Sequence, residues 1–298
     1  MDLVDGLKAF VATAQTGSFT EAAERMGISN RLTSKYVAEL ETRIGARLLQ
    51  RTTRKVGLTP AGEDLLARAP ALLDELDDLI GAVGEQSKGL SGHIRVSAPV
   101  TFGEIYISDM IRRFMQPHPE MSVDLRLSDS YVDLARDGID LAFRIGTSSV
   151  SSLRMRKLGD IGSCVVASPD YLSRHGTPEV PQDLVRHACI IDTNRKDPHR
   201  WSFEKNGQTS DLSIPRRFQV NSAKVARDWA VTGEGVANCP RFIVSGDLAT
   251  GRLVQLFGDY SSGLSPLSAV YLEGTVLPRK VRALIDFTIE DIKTNCPI

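Results

Sequence analysis

The fold is decided by residues 17–40, GSFTEAAERMGISNRLTSKYVAEL. Ser18 and Glu21 form a capping-box pattern, which predicts a short helix that stops at Gly27. Ser29 is positioned to cap a second helix. The apolar residues of that second helix share one face, and they are Leu32, Val37, Leu40 and Ile44. Two short helices joined by so tight a turn predict a helix-turn-helix.

The flanking segments extend this motif to a winged helix-turn-helix over residues 1–59. Apolar side chains recur at helical spacing over residues 3–14 and predict a preceding helix. Residues 48–50 and 56–58 predict two short strands around the basic hairpin RTTRK at residues 51–55. A basic wing beside a helix-turn-helix indicates a DNA reader.

Charge is unevenly distributed along the 298 residues, although the net charge is only −1. Residues 25–55 carry eight Lys and Arg against two Glu, whereas residues 61–90 carry two basic against seven acidic side chains. The rest of the chain is nearly neutral. A basic head, an acidic stalk and a neutral body are typical of a nucleic-acid-binding module attached to another domain. On charge alone, a solvated basic face explains the pattern equally well.

The start of the second helix of the motif would enter the major groove and supply the base contacts. The side chains predicted to face the DNA there are Ser29, Asn30, Arg31, Thr33, Ser34 and Lys35. In the wing, Arg54 suits a narrow minor groove, and Arg51 suits a phosphate or packs on the head. For each residue alone, a solvated polar side chain is an equally good reading, but the set on this helix favours DNA.

A long linker helix is predicted over residues 60–88, with Thr59 and Pro60 at its start. Its apolar residues alternate spacings of four and three, which is the pattern of a dimerisation seam. The seam consists of Leu65, Ala69, Leu72, Leu76, Leu79 and Val83. The stripe either pairs with a second subunit, which we favour, or packs on its own domain. Pro70 lies within it and predicts a bend without a break.

Residues 89–298 read as an α/β domain, because strands at 93–98, 122–127 and 141–145 alternate with predicted helices. One of these predicted helices is short and covers residues 131–136. In such sheets the ligand site lies at the carboxyl ends of the strands. The fold class is therefore α+β multidomain.

Motifs along most of the chain resemble those of LysR-type transcriptional regulators. In the head they are residues 17–23 (GSFTEAA), 51–54 (RTTR) and 58–62 (LTPAG). In the body, residues 94–99 (IRVSAP), 138–146 (GIDLAFRIG) and 167–172 (ASPDYL) resemble the CrgA-like branch. Asn30-Arg31 departs from the family's usual Gln followed by Ser, Pro or Ala, and Lys35 replaces a common Arg, which implies a different operator.

The resemblance implies a homo-oligomer, usually a tetramer, that dimerises through the long helix and binds promoter DNA. It implies a periplasmic-binding-protein-like effector domain of two lobes, about 89–164 with 266–298, and about 165–265. It also implies that a small-molecule effector binds between the lobes. The matching positions are Ser97, Pro99, Thr101, Ser128, Arg144, Asn221 and Cys239.

Hydroxyls, an amide and one guanidinium suit a small organic acid as the effector, since Arg binds a carboxylate through two hydrogen bonds. Each residue also has a structural reading, and Arg144 in particular could pair with Asp129 or Asp140. Cys239 could sense oxidants, but a buried inert thiol is the commoner case.

Other functions find little support in the sequence. There is no run of about 18 apolar residues, no positively charged leader, and no close pair among the four cysteines. The five histidines are scattered, and no nucleotide-binding or nucleophile motif is present. We therefore expect a cytoplasmic protein that is not an enzyme and needs no cofactor or metal. The alternatives are a redox-responsive regulator and a cytoplasmic small-molecule-binding protein.

Overall fold

A computed structural model of the chain describes residues 2–51, 56–83, 89–130, 132–146, 153–215, 217–272 and 277–296. They form a helical head with a two-stranded wing, a long helix and an α/β body of two lobes. The predicted architecture is confirmed. No helix in these ranges is both long and apolar enough to cross a membrane.

The head consists of α1 (Leu3–Thr16), α2 (Phe19–Met26), α3 (Asn30–Ile44), β1 (Leu49–Arg51) and β2 (Val56–Leu58). The local signals act as predicted. The Ser18 side chain accepts a hydrogen bond from the Glu21 amide at 3.3 Å, and the Ser29 side chain accepts one from the Leu32 amide at 3.2 Å. Gly27 ends α2 with a φ of 66°, a conformation that favours glycine. The core of the head is formed by buried side chains that include Phe10, Leu40, Leu48 and Leu66.

The linker helix α4 (Pro60–Val83) presents two different apolar faces and continues through Pro70. Leu66, Ala69 and Leu73 are buried against the head. Ala69 was expected in the dimerisation seam, and the structure corrects this, because its side chain points into the head core. Leu72 and Leu79 lie on the outer face and are 64% and 58% exposed.

The first lobe of the body is a mixed sheet flanked by helices. Its strands, in spatial order, are β4 (Met121–Leu127), β3 (Gly92–Ala98), β5 (Leu141–Ile145), β13 (Leu264–Leu272) and the first part of β6 (Leu153–Ala167). Strand β3 runs parallel to β4 and β5, whereas β13 is antiparallel to β5 and β6. Its helices are α5 (Val100–Phe102), α6 (Ser108–Met115), with a π-helical turn at Gly103–Ile107 between them, and α10 (Arg279–Asn295).

The second lobe continues from the same long strand. Its other strands are β7 (Cys189–Asp192), β10 (Phe218–Val220), β11 (Val236–Pro240) and β12 (Val254–Leu256). Its helices are α7 (Pro169–His175), α8 (Ala223–Val231) and α9 (Arg241–Ala249), and β8 (Arg200–Lys205) pairs with β9 (Gln208–Ser213) as a separate hairpin. The first part of β6 pairs with β13, and its end pairs with β11 and β12, so this strand joins the lobes.

The helix predicted at residues 131–136 is wrong. Residues 134–138 form a turn instead, in which the Asp137 amide donates to the Asp133 carbonyl at 2.8 Å. Gly138 then adopts a φ of 62°, and the Ile139 amide returns to the Leu134 carbonyl, which stops the helical path after one turn.

Candidate functional site

The outer face of the first two turns of α3 carries the predicted DNA-reading side chains. Ser29, Asn30, Arg31 and Lys35 are exposed, and Ser34 is half-buried. The Asn30 amide donates to the Thr20 hydroxyl at 2.9 Å and accepts from the Ser34 hydroxyl at 3.4 Å. The α2–α3 pair therefore holds Asn30 in place before any DNA is bound.

The two cations of this face differ in their surroundings. Lys35 lies 3.8 Å from Glu39 one helical turn away, at an exposed position where such a pair contributes little. Arg31 makes no hydrogen bond or ion pair with any residue that the structure describes. Its guanidinium can therefore bind a guanine edge without first breaking an internal contact.

Thr33 does not belong to the DNA-reading face. Its side chain is fully buried and donates a hydrogen bond to the Ser29 carbonyl at 3.1 Å. The helical repeat places Thr33 on the same inward face as Val37 and Leu40, which are also buried. In the wing, Arg54 lies outside the described residues, and of Arg51 only the backbone is described, opposite Val56.

The expected dimerisation residues are not equally accessible. Leu72 and Leu79 are exposed one heptad apart, and Leu76 between them is partly buried. Leu65 is also partly buried and packs against the head core. Among the seam residues whose side chains the structure describes, Leu72 and Leu79 are thus the most accessible.

A cavity of about 620 Å³ lies between the two lobes of the body. The carboxyl ends of β3, β4 and β5 supply the wall of the first lobe, with Pro99, Thr101, Ser128 and Arg144. The segment after β7 supplies part of the opposite wall, with Asn194 and Arg195. Its volume is within the range of small-molecule sites, and its position is the one expected for a ligand in such a sheet.

Arg144 is held at the cavity wall by neighbours in its own lobe. It donates hydrogen bonds to the Ser97 hydroxyl at 3.2 Å and to the Ser128 carbonyl at 3.4 Å. Asp129 accepts from the Val100 amide at 3.0 Å and from the Asn194 side chain at 3.2 Å, and Asp140 accepts from the Arg95 amide at 2.7 Å.

Three of the seven predicted effector residues do not line the described cavity. Ser97 is fully buried, and its hydroxyl accepts a hydrogen bond from Arg144. Asn221 contributes its carbonyl, which accepts a hydrogen bond from the Asn194 side chain at 2.8 Å. Cys239 is buried in β11 and is not among the residues that line the cavity. Pro99, Thr101, Ser128 and Arg144 do line it.

Cys239 has a neighbour that its sequence spacing does not reveal, because it lies directly opposite Cys164 in the β6–β11 pair. Burial raises the pKa of Cys239 to about 12 and also raises the pKa of Cys164. Since the thiolate is the reactive form, both thiols are poor nucleophiles. Among the residues described, no group of three or more His, Cys, Asp or Glu is arranged to hold a metal ion.

The sequence analysis missed Asn194 and Arg195. Asn194 reaches across the cleft from the second lobe to Asp129 of the first. Arg195 donates to the Ser163 hydroxyl at 2.9 Å and to the Asn238 side-chain oxygen at 3.2 Å. One feature of the sequence could have indicated these two residues. The short, mostly apolar strand at residues 189–192 is followed directly by polar residues, and ligand sites often lie at such strand ends.

A winged helix joined by a long helix to a two-lobed binding domain is the architecture of a ligand-responsive DNA-binding regulator. Residues 4–63 match the family described as bacterial regulatory helix-turn-helix protein, lysR family, and residues 87–293 match the LysR substrate binding domain. The chain belongs to the LysR family of transcriptional regulators.

Individual relatives point to one branch of that family. The chain is 36% identical to the HTH-type transcriptional regulator PtxR of Pseudomonas aeruginosa, over 94% of this chain and 90% of that protein. It is 31% identical to the regulator CrgA of Neisseria meningitidis serogroup C, over 97% of each chain. The solved structure of CrgA from Neisseria meningitidis matches with a TM-score of 0.62 and 29% identity, over 96% of this chain and 98% of that one. The chain is CrgA-like, as the motifs predicted.

Proposed function

We propose that this regulator binds a promoter site as a homo-oligomer and responds to a small organic acid bound between its lobes. The observation that carries the effector half of the proposal is the placement of Arg144, whose guanidinium lines a cavity of ligand size and is positioned by Ser97 and Ser128. A guanidinium in a partly desolvated cleft is a strong site for a carboxylate.

Residues 1–59 are proposed to read DNA, residues 60–88 to join subunits, and residues 89–298 to bind the effector. Since its target is chromosomal DNA, we place the protein in the cytoplasm, and we propose no catalytic activity for it. An effector that binds the closed lobes more tightly than the open lobes shifts the population toward closure. Through the linked subunits, closure changes the spacing of the heads on DNA, and by reciprocity operator binding changes effector affinity.

A nuclease footprint of the full chain on the DNA upstream of its own gene tests this function. The expected result is a protected, roughly dyad-symmetric site of several helical turns, which changes its extent when the acid is added. Comparing two salt concentrations separates specific from phosphate-driven binding, because the latter weakens steeply with salt. Protection that never exceeds that of random DNA would contradict the DNA half of the proposal. An unchanged footprint at saturating effector would contradict the allosteric half.

A further inference from the structure

Arg195 is a cation on the cleft wall whose hydrogen-bond acceptors are both uncharged. They are the Ser163 hydroxyl and the Asn238 side-chain oxygen, and no carboxylate in the described part of the chain forms an ion pair with this guanidinium. Burial lowers the pKa of Arg195, because desolvation disfavours the charged guanidinium. A desolvated cation whose hydrogen-bond acceptors are all neutral can still bind an anionic ligand.

None of the three nearby carboxylates serves as an ion-pair partner of Arg195. Asp129 is already bound by the Val100 amide and the Asn194 side chain. Asp192 accepts from the Asn194 amide at 3.0 Å, and its charge raises the pKa of Arg195, but among the described contacts it forms no ion pair with that guanidinium. Asp197 lies on the exposed rim of the cavity.

We propose that the effector is a dianion, with one anionic group bound by Arg144 of the first lobe and the other by Arg195 of the second. This inference rests on the proposed function and specifies its ligand class as a small dicarboxylate. Both arginines line the same cavity of about 620 Å³, which has room for a short linear diacid.

The position of the two arginines on opposite lobes explains why two charges would matter. A monocarboxylate bound by one arginine interacts with a single lobe and has little reason to prefer the closed form. A diacid that bridges both guanidinium groups gains its second interaction only when the lobes approach, so its binding energy is coupled to closure. Binding of the second anionic group therefore couples ligand binding to lobe closure, and this coupling is what an effector requires.

The test uses the full chain and matched pairs of straight-chain acids: malonate with propionate, succinate with butyrate, glutarate with pentanoate, and adipate with hexanoate. Affinity is measured by titration calorimetry and, independently, by the rise of the thermal unfolding midpoint that each acid causes. At least one diacid is expected to bind about 10- to 100-fold more tightly than the monoacid matched to it. This is the gain expected when one carboxylate forms an additional hydrogen-bonded ion pair with an arginine. This comparison requires no variant.

Substitutions of the two arginines then test which of them binds the second carboxylate of the diacid. Arg195→Met is expected to reduce diacid affinity to the level of the monoacid, while monoacid affinity changes less than threefold. Arg144→Met is expected to weaken both acids. Arg195→Gln, which keeps a donor for Ser163, provides a second variant in case the methionine disturbs the fold. Arg186→Met removes an exposed cation of the same lobe that pairs with Asp183, and serves as the control.

The possible outcomes separate this inference from the function on which it rests. Equal binding of diacid and monoacid, or diacid binding that survives both Arg195 substitutions, overturns the dianion while leaving an organic-acid effector in place. If no acid of the series binds, the dianion and the organic-acid effector are both overturned. The footprint without ligand still tests DNA binding independently.

Discussion

At the scale of single residues, the start of α3 carries two neighbouring side chains with different degrees of freedom, the amide of Asn30 and the guanidinium of Arg31. Asn30 is held by Thr20 and Ser34, so its orientation is set before DNA arrives. Arg31 beside it is exposed and unengaged within the described chain. A pre-set amide favours adenine at a defined position, whereas the free arginine can adjust to reach a guanine.

We expect Arg31→Ala to weaken binding to the protected operator by about 10- to 100-fold, the equivalent of one bidentate base contact at about 1–3 kcal/mol. Binding to a random duplex should change by a factor of two or three, since phosphate contacts remain. Fluorescence anisotropy on both duplexes at one salt concentration measures this. Arg43→Ala, at the exposed far end of the same helix, is the control. Equal losses on both duplexes would assign Arg31 to the phosphates.

Asp291 is a buried carboxylate of the first lobe that is held by several hydrogen bonds. Its carboxylate accepts hydrogen bonds from the Tyr106 hydroxyl at 2.7 Å, from Arg113 at 2.6 and 2.8 Å, and from Asn295 at 2.9 Å. Burial alone would raise the pKa of Asp291, but these hydrogen bonds outweigh burial and hold that pKa below its usual value. The carboxylate thereby fastens α10 to α6 and to the π-helical turn.

Because the folded-state pKa of Asp291 is lowered, the stability that it contributes is present above the unfolded-state value near pH 4 and is lost as the pH falls through the folded-state pKa. Asp291→Asn should lower the free energy of unfolding at pH 7 by about 3 kcal/mol, as when one partner of a buried pair is removed. The variant should also lose less stability than the parent below about pH 4. Urea unfolding between pH 7 and pH 3 measures both effects.

Asp286→Asn is the matched control, because this residue lies on the same helix and pairs with Arg156 at an exposed site. We expect it to change the free energy of unfolding by less than about 1 kcal/mol. If both variants lost stability in parallel and with the same pH dependence, the special role of Asp291 would be refuted.

At the scale of elements, the sequence predicts features that depend on neighbouring residues, such as helix ends. It does not predict features that depend on contacts between residues distant in sequence. Ser18, Gly27 and Ser29 specify the start of α2, its end and the start of α3 by local interactions, so these helix boundaries were predictable from sequence. Thr33 was misassigned because its polarity concealed its place on the inward helical face. Arg195 was missed because its importance depends on Ser163 and Asn238, which are distant in sequence.

The junction between the wing and α4 requires a glycine for a reason that only the structure shows. Thr59 caps α4 by accepting from the Gly62 amide at 3.0 Å, and it also donates to the Arg47 carbonyl at 2.7 Å. This contact draws the start of the helix against the strand, so that a Cβ on Gly62 would lie 2.1 Å from the Leu48 carbonyl oxygen.

We therefore expect Gly62→Ala to destabilise the head by about 3 kcal/mol, because the clash is with backbone that cannot rotate away. Gly57→Ala in β2 is the control, since a Cβ there would meet no atom of the described residues within 4 Å. Differential scanning calorimetry of the full chain should show a lower midpoint for the head transition in the first variant alone. Equal midpoints for the two variants would mean that α4 can shift away from β1.

At the scale of the whole molecule, the head also touches the body. Gln15 of α1 packs on the backbone of Gly138, where a Cβ would lie 2.8 Å from its side-chain amide, and Gln15 accepts a hydrogen bond from Arg25 at 2.8 Å. Arg25 and Arg95 line a cavity of about 400 Å³ at this contact. The first lobe therefore lies directly against the helix-turn-helix head, through Gln15 and Gly138.

The subunit interface itself is predicted to use the outer face of α4, since Leu66, Ala69 and Leu73 are already buried against the head. Leu72 and Leu79 are more than half exposed, which leaves them to pair with the same helix of a second subunit. Leu72→Asp and Leu79→Asp should each halve the mass that light scattering measures at micromolar concentration. Val185→Asp, which alters a residue 54% exposed on the second lobe, should leave the mass unchanged.

Because DNA sites with dyad symmetry are bound by paired heads, the two linker variants should also lose operator affinity far more than affinity for random duplex. An unchanged mass in both linker variants would show that the subunits associate through another surface of the molecule.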